Sequence, residues 1–434
     1  MEKTQIMLTG LLVCKKTKRK LKKPLKIAIL SYRSAPFGGG QGIYIFELSK
    51  ALNNIGHNVD VISGPPYPEL IADIELIKLP GLNLFSTFKF RERLKIFFHT
   101  KNKSLDDWYE FSSTLMGGFP ELKTFGNRAK IFLSDKNYDA VIDNQSISFG
   151  MIDIQKSKPL IEIMHHPISK DYFYDLKFAR GLVQRLSKMR WFSFLKMQKK
   201  VAKQIKVVVT PSLNSKQDIH HDFKVPMQNI QVIPNGIDFN TFCSLPNIVP
   251  RVNGVITTAS ADVPLKGLDF SLHAIALLKS EYPDINLTVI GSPRAEGHTE
   301  RLIKRLKLEE QVSFKTNLTK EEIAHEYAKS SAAVVSSLYE GFGFPVGEAM
   351  ACATPLVATN VASIPEITGS FAQLIPAEDA EAIYQGIKNI FQSPQKYKIQ
   401  AELGRQHIIE NFNWTKIGHA YEELLYKTIN DFKC

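Results

Sequence analysis

The 434-residue chain has few cysteines: Cys14, Cys243, Cys352 and Cys434 lie far apart, without the paired spacing of a metal-binding knuckle. They offer neither a disulfide framework nor a zinc module, so a reducing cytoplasm is the expected compartment. No apolar run approaches the ~20 residues of a spanning helix, and the chain is not expected to cross a membrane. The apolar stretch Ile6 to Val13 precedes the basic run Lys15 to Lys23, the reverse of a secretory signal, so residues 1–23 read as a disordered basic tail. Acidic residues are also scarce, 43 against 55 Lys and Arg, for a net charge of +12. Leu176 to Lys206 contains no Asp or Glu. Its Lys177, Arg180, Arg185, Lys188, Arg190, Lys196, Lys199, Lys200, Lys203 and Lys206 alternate with Leu182, Leu186, Met189, Trp191, Phe192, Phe194, Leu195 and Val201. Phe85 to Lys103 repeats the pattern. Such compositions suit basic amphipathic helices on an anionic membrane surface, or solvated helices packed on their own domain. No base-reading module appears, which disfavours nucleic acid as a partner.

Short apolar strands alternate with helical segments along the whole chain, the pattern of doubly wound parallel sheets. Leu25 to Ser31 reads as a first strand, followed by the loop Gly38 to Gly42, a helix from about Tyr44 to Asn54, and a second strand from Asn58 to Ser63. Further strands are expected at Ala140 to Ile142, Leu160 to Met164, Val207 to Thr210 and Gln231 to Ile233. A loop from Ser244 to Asn253, carrying Pro246 and Pro250, divides these from a second set at Gly254 to Ser260, Asn286 to Ile290, Val312 to Lys315, Ala332 to Ser336, Leu356 to Thr359 and Ala372 to Ile375. The expected domains are residues 24–245 and 246–413.

The densest chemistry lies in Ser336 to Ala351, where a buried strand runs into Glu340-Gly341-Phe342-Gly343-Phe344-Pro345 and then a helix carrying Glu348. Gly341 and Gly343 let backbone approach a ligand, Pro345 suits a first helical turn, and outward-facing amides favour a phosphate. Glu340 is placed to grip sugar hydroxyls and Glu348 to accept from a ribose diol. A glutamate near a helix N-terminus is also favourable with no ligand at all, and Gly-Phe-Gly is also an ordinary tight turn.

The run resembles the Glu-x7-Glu signature of retaining glycosyltransferases of family 4, and the likeness continues through Pro355 to Thr359 and Ile364-Pro365-Glu366. It implies the GT-B fold: two Rossmann-like α/β domains facing across a cleft, with residues 414–434 as a helix crossing back to the first domain. It further implies that Lys266, in the Lys266-Gly267 pair, meets the donor diphosphate and that Gly39 and Gly40 close on it from the opposite domain. Gly341, Phe342, Gly343, Phe344 and Glu348 complete the donor site, while His165, or alternatively His166, contacts the transferred sugar. Ala261 stands where the family usually has an arginine, leaving Arg294 as another candidate cation. Asp143, Asn144 and Gln145 are candidates for the acceptor side. The resemblance implies a nucleotide-diphosphate sugar donor, UDP- or GDP-linked, and a lipid-linked or polysaccharide acceptor. It also implies retention by a front-face reaction, with neither cofactor nor metal. A nucleotide-sugar epimerase and a non-catalytic binding protein of the same fold remain alternatives.

Overall fold

The computed structural model describes residues 23–36, 40–179, 181–259 and 262–433. Gly39, Gly38, Ala261, Arg180 and residues 1–22 of the basic tail lie outside them. The chain builds two wholly parallel sheets. The first contains β1 (Lys26–Ser31), β2 (Asn58–Ser63), β3 (Glu75–Lys78), β4 (Ala140–Asn144), β5 (Leu160–Ile163), β6 (Val208–Thr210) and β7 (Ile230–Val232) in the order β3-β2-β1-β4-β5-β6-β7. The second contains β8 (Gly254–Thr258), β9 (Asn286–Ile290), β10 (Val312–Lys315), β11 (Ala332–Val335), β12 (Leu356–Thr359) and β13 (Gln373–Ile375) in the order β10-β9-β8-β11-β12-β13. Strands buried on both faces read as continuous apolar runs, and a two-residue period splits each run between two layers. In β1, Ile27 and Ile29 join Tyr44 and Leu48 of the helix Gly40–Asn54, whereas Ala28 and Leu30 join Phe125 and Met151 on the other face.

The helix Trp414–Lys433 returns to the first sheet. Trp414, Ile417, Tyr421 and Leu425 enter the same layer as Ile27, and the hydroxyls of Tyr421 and Tyr44 lie 2.6 Å apart. Sequence patterning missed β3, a four-residue, half-exposed edge strand with too little buried surface to leave a signal.

The basic stretch from Leu176 to Lys206 is not one amphipathic helix. Its second half packs inward, with Phe192, Leu195 and Val201 in the core of the first domain. Its first half forms the helix Gly181–Trp191, which buries none of its residues and leaves Leu182 and Val183 79% and 84% exposed. The other stretch divides similarly. In the helix Phe90–His99, Phe97 is buried and stacks on Phe111 at 4.0 Å, while Phe98 is 70% exposed, as are Phe88 and Phe90 in large part. Among the described residues, no helix is long and apolar enough to cross a membrane.

Candidate active site between the two sheets

In an open α/β sheet, ligands collect at the carboxyl ends of the strands where the strand order reverses. The reversal in the second sheet falls between β8 and β11. Lys266 lies on the loop after β8 and Glu340 on the loop after β11, so the topology itself brings them together: Lys266 Nζ donates to Glu340 Oε1 at 2.7 Å. Ser337 Oγ donates to the same oxygen at 2.7 Å, and the backbone carbonyl of Glu340 accepts from Ser363 Oγ at 2.9 Å. The second carboxylate oxygen of Glu340 makes no hydrogen bond among the described residues. Backbone geometry is equally specific. Gly267 and Gly343 have φ of 63° and 101°, and a β-carbon on Gly267 would lie 2.0 Å from the Ser336 carbonyl oxygen.

Gly343 starts the helix Phe344–Ala351; Pro345 in its first turn has no amide proton, and the Val346 and Gly347 amides both bond the Gly343 carbonyl, at 3.0 and 3.3 Å, so the helix start meets the cleft mainly through its dipole. Glu348 lies one turn further on. It is 8% exposed and makes no side-chain hydrogen bond among the described residues. Burial pushes its carboxyl up to about 7, against a partial opposing pull from Lys320. It lines a narrow, open crevice together with Phe344, Glu47, Lys320, Asp238 and Trp414. A buried acceptor with no partner beside an open crevice can take a donor pair from a ligand.

The reversal in the first sheet lies between β1 and β4, opposite this loop. There β4 ends in Asn144 and β5 leads to His165. His165 Nε2 lies 2.8 Å from Asn144 Oδ1. That oxygen can only accept, so the ring carries its proton on Nε2 and leaves Nδ1 as an acceptor. Desolvation, followed by the neighbouring His166, holds the imidazole down at about 3, neutral at physiological pH. Tyr44 packs edge-on against the ring at 4.5 Å. Gln145, in the left-handed region at φ 61°, accepts from the His165 amide at 2.9 Å. His166 instead turns to Asp171, with Nε2 and Oδ2 2.6 Å apart, and its pKa is raised: burial alone would lower it, but Asp171 prevails.

The two halves touch through these residues. A β-carbon on Gly341 would lie 2.3 Å from the His165 carbonyl oxygen, and Gly40 sits opposite the Phe344 ring. Lys320 Nζ reaches across to Glu47 at 2.9 Å, while Glu366 accepts both the Leu213 and Asn214 amides at 2.8 Å. Of the residues expected at the site, Gly40 lies not on a loop but at the start of the helix Gly40–Asn54, which begins earlier than the expected Tyr44, while His165, Lys266, Glu340, Gly341, Phe342, Gly343, Phe344 and Glu348 sit on the facing loops and on the helix Phe344–Ala351. Asp143 does not line the cleft. It is fully buried, spends Oδ2 on Ser146 and Ile147, and stands in register with Glu162, and burial raises both carboxyls. Arg294 is exposed, its backbone amide held by Asp262. Glu47, Tyr44 and Lys320 were missed in the sequence because each reads as an ordinary helical position until the two domains are set face to face.

Residues 251–407 match the family described as "Glycosyl transferases group 1", and residues 38–241 match "Glycosyltransferase Family 4". An MMP alpha-(1->4)-mannosyltransferase from Mycolicibacterium hassiacum is 37% identical over 401 residues, 91% of this chain and 96% of that one. The chain belongs to the group 1 glycosyltransferases. A GDP-mannose-dependent alpha-(1-6)-phosphatidylinositol monomannoside mannosyltransferase from Mycolicibacterium smegmatis is 24% identical over 217 residues, 46% of this glycosyltransferase and 57% of that protein. Among solved structures, sucrose-phosphate synthase from Thermosynechococcus elongatus superposes with a TM-score of 0.73 at 21% identity, covering 94% of this chain and all of that one. Anabaena HepE in complex with UDP gives 0.67 at 17% identity, covering 93% and 100%. These likenesses establish the architecture: the glycosyltransferase has the GT-B fold.

Proposed function

We propose that this glycosyltransferase transfers a mannosyl group from GDP-mannose to a mannose-containing acceptor with retention of configuration. The sugar and nucleotide come from the names of its relatives. Retention is what the family resemblance implies, and one observation supports the site assignment: Lys266 is held on Glu340 just before the Phe344–Ala351 helix, on the face opposite the neutral His165. In the front-face reaction, the bond between the anomeric carbon and the diphosphate oxygen breaks. The acceptor oxygen bonds to that carbon from the same face, and its proton passes to the leaving phosphate. The protein's part is electrostatic: the ammonium of Lys266 and the helix dipole stabilise charge as it develops on the diphosphate. Glu348 receives the ribose hydroxyls, and His165 Nδ1 accepts from a hydroxyl of the transferred sugar.

The same reading needs neither metal nor cofactor, since cationic and dipolar groups already face the phosphates. It also places the enzyme on an anionic membrane surface through the exposed helices Phe90–His99 and Gly181–Trp191, which keeps it cytoplasmic and beside a lipid-linked or polysaccharide acceptor. Incubating the full chain with GDP-mannose and with UDP-glucose, each with a methyl α-mannoside acceptor and EDTA, tests the reading. The expected product is an α-linked disaccharide from GDP-mannose alone, identified by its one-bond carbon–proton coupling at the anomeric centre. A β-linked product, an epimerised free sugar or strict metal dependence would overturn it.

A further inference from the structure

The turn that follows β4 keeps two non-glycine residues in the left-handed region, Gln145 at φ 61° and Ile147 at φ 46°. A β-branched residue adopts that conformation only where the surrounding fold imposes it. On one side the hold is Asp143. Its Oδ2 accepts from Ser146 Oγ at 2.7 Å, from the Ser146 amide at 2.9 Å and from the Ile147 amide at 3.4 Å. On the other side the same turn meets His165. Asn144 Oδ1 takes the ring Nε2 proton at 2.8 Å, Gln145 Oε1 takes the His165 amide at 2.9 Å, and Gln145 Nε2 reaches the His166 carbonyl at 3.4 Å. Asp143 in turn stands beside Glu162, its partner in register on β5. Both are fully buried, and among the described residues Asp143 Oδ1 and the two Glu162 oxygens have no other hydrogen-bond partner. Two adjoining carboxyls in such a place hold one proton between them. Burial first, and then the charge of Asp143, drives the Glu162 pKa far up, so the proton stays on Glu162 and is donated to Asp143. The proposed reaction uses neither carboxyl.

We infer that Asp143 and Glu162 are a positioning pair for sugar transfer: neutral Glu162 keeps Asp143 a carboxylate bonded to the turn, and the turn holds His165 in the tautomer and orientation that meet the transferred sugar. Neither carboxyl touches a ligand. An apolar pair would fill this layer of the core at less desolvation cost, but it would leave the buried Ser146 and Ile147 donors without an acceptor. The turn would then lose the bonds that offset its left-handed residues, and Asn144 and Gln145 would lose their fixed placement against the histidine. This role rests on the transferase reading above, in which His165 Nδ1 accepts from a sugar hydroxyl.

The test compares Glu162→Gln, Asp143→Asn and Ser146→Ala with the parent, each as the full chain. In Glu162→Gln an amide N–H replaces the shared proton, so kcat with GDP-mannose should stay within about twofold of the parent. In Asp143→Asn a neutral oxygen holds the turn, and kcat should fall about tenfold while the KM for GDP-mannose and the affinity for GDP stay unchanged. Ser146→Ala, the milder change, should lower kcat about threefold in the same way. Ring-nitrogen NMR of histidine-labelled protein reads the positioning directly and needs no transfer. The resonances missing from His165→Ala should show the proton on Nε2 in the parent and in Glu162→Gln, and a mixture of tautomers in Asp143→Asn. If the parent transfers no mannose, the NMR comparison alone decides. Parental kcat and a single tautomer in Asp143→Asn, or in Ser146→Ala if the former does not fold, would overturn the pairing, and so would a Glu162→Gln variant that loses as much kcat as Asp143→Asn.

Discussion

Glu348 gives the most quantitative test of the site. Its carboxyl is pushed from its ordinary 4.5 up to about 7 because it is buried without a hydrogen bond. An acid whose folded pKa is raised binds its proton more tightly in the folded chain than in the unfolded one. Its contribution to stability is therefore fully present below pH 4.5 and is lost as pH rises through 7. At about 1.4 kcal/mol for each pH unit, that interval amounts to roughly 3 kcal/mol. Glu348→Gln keeps the shape without the titration, so relative to the parent it should gain little at pH 5 and roughly 3 kcal/mol by pH 8. Nucleotide binding should move in the opposite direction. A ribose diol donates more strongly to the carboxylate than to the acid, so GDP affinity in the parent should rise with pH up to about 7 and then level off. In the variant this rise should disappear, and affinity at pH 8 should be weaker by the roughly 1.5–3 kcal/mol of a charge-assisted pair. Thermal melts and calorimetry from pH 5 to 8.5 measure both. A variant that binds GDP at pH 8 as tightly as the parent would refute the ribose assignment, and one with the parent's stability profile would refute the burial argument.

Lys266→Ala should lower kcat by about a hundredfold or more and also cost about 1–3 kcal/mol of stability by stranding Glu340. Adding Glu340→Gln should restore the stability and not the turnover, and recovery of transfer in the double variant would show that Lys266 is structural. His165→Ala should abolish transfer at parental GDP affinity and lower the melting temperature, because its ring packs on Tyr44 and bonds Asn144. Since its pKa is held near 3, the parent's pH–rate profile above pH 5 should carry no limb from this imidazole, whereas the limb near 7 should vanish in Glu348→Gln. Liposomes containing anionic lipid should sediment the enzyme at low salt and release it at high salt, with Leu182→Ser and Val183→Ser weakening capture; protein that stays in solution throughout would make Gly181–Trp191 an ordinary surface helix.

The alternation of apolar runs made both sheets legible, because parallel strands buried on two faces leave a continuous signal in the chain. The loop from Glu340 to Phe344 was legible for a different reason. Gly343 needs a positive φ, Gly341 needs room against His165, and only glycine satisfies either. What stayed hidden are pairings across long sequence separations: Lys320 with Glu47, Tyr421 with Tyr44, and the turn of Asp143 away from the cleft towards Glu162. Each depends on which strand lies beside which, and composition carries no record of that order. The division of the basic stretch was hidden for the same reason, since the same residue types cover a core at Leu195 and Val201 and face solvent at Leu182 and Val183.

The return of the Trp414–Lys433 helix to the first sheet has a consequence for biosynthesis. The layer beneath β1 is completed by Trp414, Ile417, Tyr421 and Leu425, which leave the ribosome after the entire second domain. At about 5–20 residues per second, the interval between β7 and this helix lasts roughly 10–40 s. During that time Ile27, Ile29 and Leu48 lack their final cover, so the first domain to be synthesised is the last to be finished.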